Sequence, residues 1–302
     1  MKKSLLFFLS LVTLNKAFSQ WKNVDSAFGT LPSSVHIYFT DKPIDTSPFR
    51  AYYLIADIRD KNLSFEADTS HDRRLTPSQF FEKNGHPLVI VNCTFFSFET
   101  NRSVNAVIKN GELVAFNAEN IAGKGKDTLT YRHALGSALG INKKRKADIA
   151  WLYTDSSMKY AMATQFVIPP VKDSSKKMPH DYFFRSKEGG LSKWKMQTAV
   201  GGGPVLLQDG EINVTNNEEL KFVNKAIMDK HPRTAMGYTN EGKLIILMIE
   251  GRSKIAGGAT LTQMAQIFKD LGCLEALNLD GGGSSCLLVN GKETIKVSDK
   301  EG

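Results

Sequence analysis

The stretch LNLDGGGSSCLLVNG, residues 277–291, joins two apolar runs through three glycines and two serines. The second run ends in Asn290-Gly291, a pair that tight hairpin turns favour because the backbone φ angle is positive there. Four stretches have an Xaa-Gly turn between strand-like runs: AVIKNGELV (106–114), VLLQDGEI (205–212), GYTNEGKLII (237–246) and CLLVNGKETI (286–295). The sequence therefore predicts four β-hairpins.

Further strands and two helices are predicted around these hairpins. Alternating or fully apolar runs predict strands at 35–40, 51–58, 63–67, 88–92, 244–249 and 276–280. Helical periodicity is present in 76–85, where Thr76 can cap the first turn, and in 260–272, which has one apolar stripe. We expect an α+β fold, with a mixed, mainly antiparallel sheet built from hairpins and helices packed against it.

The N-terminus has the features of a secretory signal peptide. Lys2 and Lys3 precede an apolar run at 5–14, and Ala17 and Ser19 give small residues at the cleavage site. The run is well short of the roughly 20 residues that span a bilayer. We expect residues 1–19 to be removed, residues 20–302 to form a single domain, and the protein to be secreted or periplasmic without stable membrane insertion.

One internal segment, residues 154–197, fits neither a strand nor a helix pattern. It contains Pro169-Pro170, many lysines and several aromatic side chains. Loops of this length are usually functional or disordered, and the aromatic residues favour partial packing. We therefore predict a long loop or lid in this region.

Charge and cysteine content limit the classes of function. The net charge of +8 is concentrated in 143–146 and 172–195, without the regular aromatic residues of a single-strand binding groove, so no nucleic-acid partner is expected. A basic exterior would still attract an anionic envelope polymer. Three cysteines are too few for a disulfide scaffold and lack zinc-site spacing, although a Cys273–Cys286 bridge is compatible with export.

Several common catalytic signatures are missing from the sequence. Neither glycine triplet continues as Gly-Lys-Ser/Thr or forms G-x-G-x-x-G, and G-x-S-x-G and H-E-x-x-H do not occur. These observations disfavour standard nucleotide-binding loops, serine triads of the elbow type and zinc-dependent hydrolysis through a paired-histidine helix.

Each hairpin is entered through a polar or glycine-rich loop, and such loops can converge into a cleft at one edge of a sheet. The loops are NCTFF (92–96), GGGP (201–204), HPRTAMG (231–237) and DGGGSS (280–285). Two carboxylates, Asp280 and Glu250, stand at strand ends. An ion pair between Glu250 and Arg252 is an equal alternative to catalysis, and His231 and Arg233 could be a turn residue and a surface cation.

The motifs N-x-x-F-F, G-G-G-P-x-L-x-x-x-G, H-P-R-T-A-x-G and N-x-D-G-G-G-S-S, in this order, resemble the phosphodiester glycosidase family over roughly residues 85–295. The resemblance implies hydrolysis of the bond between a sugar's anomeric carbon and a phosphodiester oxygen, in the cell envelope or an extracellular glycan. Cys93 and Thr94 stand where the family commonly has glycines, which concerns substrate identity more than fold.

The resemblance and the chemistry together suggest roles for particular residues. Asp280, Glu250 and His231 are the candidate catalytic residues, and Arg233 is the candidate bidentate phosphate ligand. The N–H groups of Gly281, Gly282 and Gly283 would form an anion cradle beside Asp280. The remaining binding and positioning candidates are Asn92, Gly202, Gly203, Arg252, Asn278 and Ser284.

Cofactor and alternative functions complete the expectations. No cofactor is required, and a divalent cation held by Asp280 and the phosphate is left open. The partner is a carbohydrate phosphodiester substrate, and the sequence does not indicate the oligomeric state. The competing functions are a non-catalytic protein that binds envelope polysaccharide and a phosphodiesterase that releases sugar-1-phosphate.

Overall fold

The structure is a computed structural model that describes residues 20–70, 73–123, 126–132, 135–168, 171–172, 190–223 and 227–298. The predicted signal peptide and the middle of the predicted lid lie outside these residues.

The described residues form 21 strands and two α-helices. The first strands are β1 (Lys22–Asn23), β2 (Val35–Thr40), β3 (Ala51–Asp57), β4 (Val89–Val91), β5 (Val107–Lys109), β6 (Glu112–Ala115), β7 (Asn120–Ala122), β8 (Thr130–Arg132), β9 (Gly136–Ile141) and β10 (Ala147–Tyr153). The others are β11 (Met162–Thr164), β12 (Val171–Lys172), β13 (Ser192–Lys193), β14 (Thr198–Gly201), β15 (Val205–Gln208), β16 (Glu211–Ile212), β17 (Arg233–Thr239), β18 (Lys243–Ile249), β19 (Cys273–Asn278), β20 (Leu287–Val289) and β21 (Lys292–Glu293). The helices are α1 (Pro77–Lys83) and α2 (Leu261–Asp270).

Two large antiparallel sheets dominate the architecture. The first has the strand order β1-β2-β3-β18-β17-β19-β15-β16, and the second has the order β13-β11-β10-β9-β14-β5-β6. Two three-stranded sheets, β12-β8-β7 and β21-β20-β4, complete the pairing. The described residues are 37% strand and 10% helix, so the fold is mainly β and the expected α+β class is only partly right. The mainly antiparallel pairing is confirmed, but the described strands form four sheets, two of them large, in place of the expected single sheet.

The main core lies between the two large sheets, where Leu54, Met236 and Ile246 of the first belong to one cluster with Leu139 and Trp151 of the second. A further core lies on the outer face of the first sheet, beneath α2. There Leu261, Met264, Ala265 and Phe268 are fully buried, as the apolar stripe predicts. Thr260 caps this helix by accepting from the backbone N–H of Gln263. Side chains alternate between the two faces of each strand, so the two large sheets can pack against each other through apolar inner faces.

All four predicted hairpins are present, as the pairs β5–β6, β15–β16, β17–β18 and β20–β21. Their turn residues Asn110, Asp209, Gly242 and Asn290 have positive φ angles, which is why Asn, Asp and Gly stand there. The strand predicted at 63–67 is wrong. That segment pairs with no strand, and the carbonyl oxygen of Leu63 accepts instead from the Arg145 guanidinium.

The two ends of the predicted lid belong to the second large sheet. Strand β11 pairs with β10 and with β13, which places both ends of the segment at the sheet edge. Trp194 is buried, and its indole N–H donates to Asp148 at 2.5 Å. A lid function for the intervening residues stays a prediction.

Candidate active site

Asp280 lies two residues beyond β19 and is fixed through its backbone. Its N–H donates to the carbonyl oxygen of Cys93 at 2.8 Å, and its own carbonyl oxygen accepts from Nδ2 of Asn92 at 2.7 Å. The Oδ1 atom of Asn92 accepts from Oγ1 of Thr234 at 2.8 Å and from the N–H of Cys286 at 3.0 Å. Asn92 therefore joins β4, β17 and the start of β20 to the residue that carries the carboxylate.

The Asp280 carboxylate is in an environment that favours its neutral form. Burial raises its pKa to about 6, against smaller opposing effects from the hydroxyl of Ser284 and the N–H of Gly281. The Gly281 N–H donates to Oδ1 of Asp280 at 2.9 Å. A carboxylate with this pKa is ionised at neutral pH and remains more basic than an exposed one, as a general base or a nucleophile requires.

The glycine triplet after Asp280 is used in a different way from the expected anion cradle. The Gly281 N–H is taken by Asp280, and the Gly282 N–H donates to the carbonyl oxygen of Pro232 at 2.9 Å. Neither of these two hydrogen bonds involves the N–H of Gly283. Gly282 has a φ angle of +63°, and a Cβ atom there would lie 3.2 Å from Nη2 of Arg252. Glycine at position 282 thus lets the Arg252 guanidinium approach the backbone of this turn.

Arg233, the predicted phosphate ligand, is instead a buried side chain on the other face of the sheet. Only 4% of the residue is exposed, and its guanidinium donates to the carbonyl oxygens of Ala259 and Asp229 at 3.1 and 3.2 Å. The guanidinium carbon lies 5.6 Å from the ring centre of Phe222. Burial lowers the pKa of Arg233 to about 10. These contacts favour a structural role over direct phosphate binding.

His231 is half-buried close to both arginines. Burial first, and then the charges of Arg233 and Arg252, lower its pKa below the usual value of 6.5. The imidazole is therefore neutral at pH 7, which makes it a weak proton donor at that pH. Its backbone pairs with that of Ala259 in both directions, at 3.2 and 3.1 Å.

Glu250, the predicted second carboxylate, is buried and engaged in an ion pair. Its Oε2 atom accepts from Nε of Arg50 at 3.1 Å, and Arg50 also lies over the ring of Phe39. The sequence suggests an ion pair of Glu250 with Arg252 as an alternative to catalysis. In the structure the partner is Arg50, which directly precedes β3 and lies 200 positions from Glu250 in the sequence.

Asn278 and the first glycine triplet form a separate structural unit. The N–H groups of Gly202 and Gly203 donate to the carbonyl oxygens of Ser137 and Asn278, at 2.9 and 2.7 Å, so neither is free to bind phosphate. The Nδ2 atom of Asn278 donates to the Gly203 carbonyl oxygen at 2.8 Å. These contacts fix the loop between β14 and β15, and a binding role for the three residues stays a prediction.

A buried carboxylate, Glu219, stands behind this loop and was not identified from the sequence. Its Oε1 atom accepts from the N–H of Val205 and from Thr215, and its Oε2 atom accepts from Ser137 at 2.6 Å. A Cβ atom at Gly203 would lie 2.4 Å from Oε2. No local motif in residues 216–220 signals this role, because Ser137 lies 82 positions away and Val205 lies 14 positions away, and only Thr215 is close in sequence.

A cavity of about 2100 Å³ opens beside Asp280. The predicted site residues that line it are Asn92, Arg252, Asp280, Gly281, Gly282, Gly283 and Ser284. The site residues His231, Arg233, Glu250, Gly202, Gly203 and Asn278 are not among its lining residues. Arg73 and Arg74 also line it and were missed from the sequence. Arg74 lies over the rings of Phe96 and Phe98, which are cavity-lining side chains as well.

Cys93 and Cys286 are neighbours at this site. The three cysteines are free thiols, so the suggested Cys273–Cys286 bridge is not formed. Cys273 belongs to the core beneath α2, whereas Cys286 and Cys93 line the cavity. Burial raises the pKa of each cavity thiol to about 12, which keeps both protonated at neutral pH.

Within the residues that the structure describes, no group of three or more histidine, cysteine, aspartate or glutamate side chains could hold a metal ion. Among the same residues, no helix has the length and apolar character needed to cross a membrane.

The family model described as phosphodiester glycosidase matches residues 85–301. The chain therefore belongs to the phosphodiester glycosidase family, as its motifs indicate.

Individual relatives match over shorter segments. Over 70 residues the chain is 44% identical to the SPbeta prophage-derived uncharacterized protein YomE of Bacillus subtilis, covering 23% of this chain and 11% of that protein. Over 101 residues it is 29% identical to N-acetylglucosamine-1-phosphodiester alpha-N-acetylglucosaminidase of Mus musculus, covering 33% of this chain and 19% of the mouse protein. The matched segments thus span less than a fifth of the length of these curated relatives.

A solved structure shares the fold. The catalytic domain of the zebrafish N-acetylglucosamine-1-phosphodiester alpha-N-acetylglucosaminidase, which is auto-inhibited by its pro-peptide, gives a TM-score of 0.58. The alignment covers 90% of this chain and 78% of that chain at 21% identity, a level that establishes the fold alone.

Proposed function

We propose that the chain is an exported hydrolase that cleaves the glycosyl-phosphate bond of a sugar phosphodiester. One observation carries the proposal: Asp280, with a pKa of about 6, shares a cavity with the exposed guanidinium of Arg252 at a glycine turn. An ionised carboxylate suits an electron-poor anomeric carbon, and a guanidinium suits a phosphate. Membership of the phosphodiester glycosidase family supports the same pairing.

In the proposed reaction, the bond between C1 of the sugar and the phosphate oxygen breaks, and its electron pair leaves with the phosphate. In the direct route a water oxygen forms the new bond to C1, and Asp280 accepts the water proton and passes it to solvent. In the two-step route Asp280 first bonds C1; attack by water then breaks this ester bond, whose electron pair returns to the carboxylate, and the water proton goes to solvent. A phosphate monoester is a stable leaving group, so the reaction needs charge neutralisation more than protonation. A neutral His231 is compatible with that requirement.

We assign the phosphate to Arg252 in preference to Arg233. Arg252 lines the cavity and lies over Gly282, two residues beyond Asp280, whereas the guanidinium of Arg233 donates to backbone carbonyl oxygens outside it. The N–H of Gly283 is a second donor suited to a phosphate oxygen. Ser284 then orients the carboxylate, and Asn92 positions the backbone of Asp280.

Product analysis in ¹⁸O-labelled water tests the proposal. The exported protein is incubated with methyl esters of a panel of sugar 1-phosphates, and the products are separated by mass. Free sugar carrying ¹⁸O, with unlabelled methyl phosphate, supports the glycosidase. Sugar-1-phosphate carrying ¹⁸O would instead identify a phosphodiesterase, and binding without product would identify a polysaccharide-binding protein.

Export is the part of the proposal that the N-terminal sequence supports. Lys2 and Lys3, the apolar run at 5–14 and the small residues Ala17 and Ser19 favour cleavage near Gln20. N-terminal sequencing of the protein recovered outside the cytoplasm should begin at or close to residue 20. Recovery of Met1 would contradict cleavage.

A further inference from the structure

The cavity beside Asp280 is larger than a sugar phosphodiester needs. Its volume of about 2100 Å³ is roughly twice the upper end of the 300–1,000 Å³ typical of small-molecule sites. It extends from the glycine turn into the space between the two large sheets. Side chains from the inner faces of both large sheets therefore form part of its wall.

The interior part of the cavity has apolar walls on both sides. The first large sheet contributes Leu54, Met236 and Ile246, and the second contributes Val107, Leu139 and Val200. These side chains offer no charged group and no hydrogen-bond donor to a sugar. A carbohydrate extending inward would lose its water without replacement hydrogen bonds, at a considerable cost per hydroxyl.

The mouth of the same cavity has the opposite character. Arg252, Arg73 and Arg74 line it, together with the Asp280 turn. The other carboxylates of the lining are Glu66 and Asp68, and Asp68 is paired with Lys83 and Lys109. Arg74 lies over the ring of Phe98, of which 78% is exposed. Cationic groups at the mouth and hydrocarbon walls inside fit a molecule that carries a phosphate at one end and a hydrocarbon chain at the other.

We propose that the substrate is a glycosyl phosphodiester of a long-chain alcohol, whose hydrocarbon chain lies between the two sheets. The proposal rests on the proposed function and adds the identity of the second phosphate substituent. With the phosphate at Arg252, the sugar faces Asp280 and the chain enters the apolar interior. Hydrolysis at C1 releases free sugar, and the alkyl phosphate monoester leaves with the electron pair of the broken bond.

The length of the alcohol is the variable that tests this directly. For methyl and octyl esters of the same sugar 1-phosphate, we expect kcat/KM to be on the order of a hundredfold higher for the octyl ester. This ratio is smaller than the one that full burial of the seven additional methylene groups would give. Both esters are used below the concentration at which the octyl ester forms micelles. Equal values of kcat/KM for the two esters would overturn the proposal while leaving the glycosidase function standing.

A substitution in the cavity wall gives a second, independent test. Val200→Phe adds bulk inside the cavity and should lower the octyl-to-methyl ratio of kcat/KM by about tenfold or more, since the chain loses its space. Val114→Phe is the matched control, because Val114 lies in the same sheet, is 42% exposed and does not line the cavity. If Val200→Phe fails to fold, Val200→Leu makes the same comparison with less added volume. An unchanged ratio in a folded wall variant would contradict the proposal.

A binding measurement separates this inference from the catalytic one. Octyl phosphate and methyl phosphate are titrated calorimetrically into the wild-type protein, and we expect octyl phosphate to bind at least about tenfold more tightly. Tighter binding of octyl phosphate without any ester cleavage would support the cavity proposal and contradict the glycosidase. Equal affinity of the two phosphates, with or without cleavage, would overturn the proposed substrate class.

Discussion

The side-chain amide of Asn92 donates to the backbone carbonyl oxygen of Asp280, 188 positions later in the chain, at 2.7 Å. The same side chain accepts from Thr234 and from the N–H of Cys286. Both lone pairs of the Asn92 amide oxygen and one of its two amide N–H groups are therefore used within the protein. Its contribution to the site is to hold the backbone that carries the carboxylate.

Asn92→Ala should consequently affect stability and activity together. The change removes three hydrogen bonds, and we expect a loss of about 2 to 4 kcal/mol in the free energy of unfolding, measured by urea denaturation. Turnover should also fall, because the Asp280 backbone loses a constraint. Asn213→Ala is the control, since Asn213 is exposed and its side chain donates to Gln208 rather than to a residue of the site. A stability as high as that of the control would show that the Asn92 contacts are unimportant.

Asp280→Asn should abolish turnover with little change in ligand binding. The substitution preserves shape and removes the charge and basicity that the proposed reaction requires. Steady-state kinetics on a sugar phosphodiester, with a thermal unfolding check, measure the effect. A variant that keeps more than about a tenth of the wild-type kcat, a loss below ~1.4 kcal/mol, would exclude Asp280 as the essential carboxylate.

The raised pKa of Asp280 predicts how activity and stability depend on pH. The reactive form is ionised, so kcat/KM should rise with pH through about 6 and then level off. Stability changes in the opposite direction. Because the folded-state pKa is above the unfolded value of 3.8, the folded protein binds this proton more tightly, and its contribution to stability is lost as pH rises through about 6.

Asp280→Asn removes that dependence and supplies the control for it. At pH 8 the variant should unfold at a higher temperature than the wild type by a few degrees, roughly, and at pH 3.5 the two should be similar. The measurement is a pair of thermal denaturation series. If the wild type is the more stable of the two proteins at pH 8, the ionised Asp280 carboxylate is stabilised by its surroundings and does not destabilise the fold.

Arg252 and Arg233 should respond differently when each is replaced by lysine. Arg252→Lys loses the planar guanidinium, so kcat/KM for the sugar phosphodiester should fall by one to three powers of ten, about 1.4 to 4 kcal/mol. An activated neutral glycoside of the same sugar, which has no phosphate, should be affected far less. Arg233→Lys disrupts buried contacts to Ala259 and Phe222 and should lower both activities in parallel.

One result of this comparison would contradict the assignment of the phosphate to Arg252. A selective loss on the phosphodiester in Arg233→Lys, with parallel losses in Arg252→Lys, would reverse the assignment and restore Arg233 as the phosphate ligand. The test uses the ratio of two activities within each variant, so a general loss of folded protein cancels.

Glu250 is expected to contribute to stability through Arg50. Glu250→Gln should lower the free energy of unfolding, with a coupling of about 1 to 3 kcal/mol to Arg50→Ala in a double-mutant cycle, while kcat falls less than tenfold. Urea denaturation of the four proteins gives the coupling. A loss of kcat of a thousandfold with unchanged stability would instead identify Glu250 as the second catalytic carboxylate.

Local elements of this fold are predictable from the sequence because their signals are local. Asn290-Gly291 requires a positive φ angle whatever it pairs with, and Thr260 caps α2 through the N–H of Gln263 only three residues away. The pairing of β3 with β18 joins segments about 190 residues apart. Neither strand has a sequence motif that indicates its pairing partner, so the division of the strands into two large sheets could not be predicted from the sequence.

The site was predictable in part for the same reason. Asp280 is recognisable as a carboxylate that leads directly into three glycines. The role of Arg233 depends on which face of β17 its side chain occupies, and a shift of one residue in a strand exchanges the faces. Arg252 lies in the loop after β18, where no strand pattern indicates the direction of its side chain. The contacts of Arg50 with Glu250 and of Glu219 with Ser137 could not be predicted, because each joins distant parts of the chain.

The three N-terminal strands lie upstream of the segment that matches the family model, which begins at residue 85. Yet β3 pairs with β18 along seven residues, from Lys243 to Ile249. A protein shortened to the matched segment would expose the backbone N–H and C=O groups of β18 as a new sheet edge, together with apolar side chains that β3 now covers. Such an edge is a template for intermolecular strand pairing, so the shortened chain would tend to aggregate. The unit that folds in solution is larger than the unit that sequence comparison delimits.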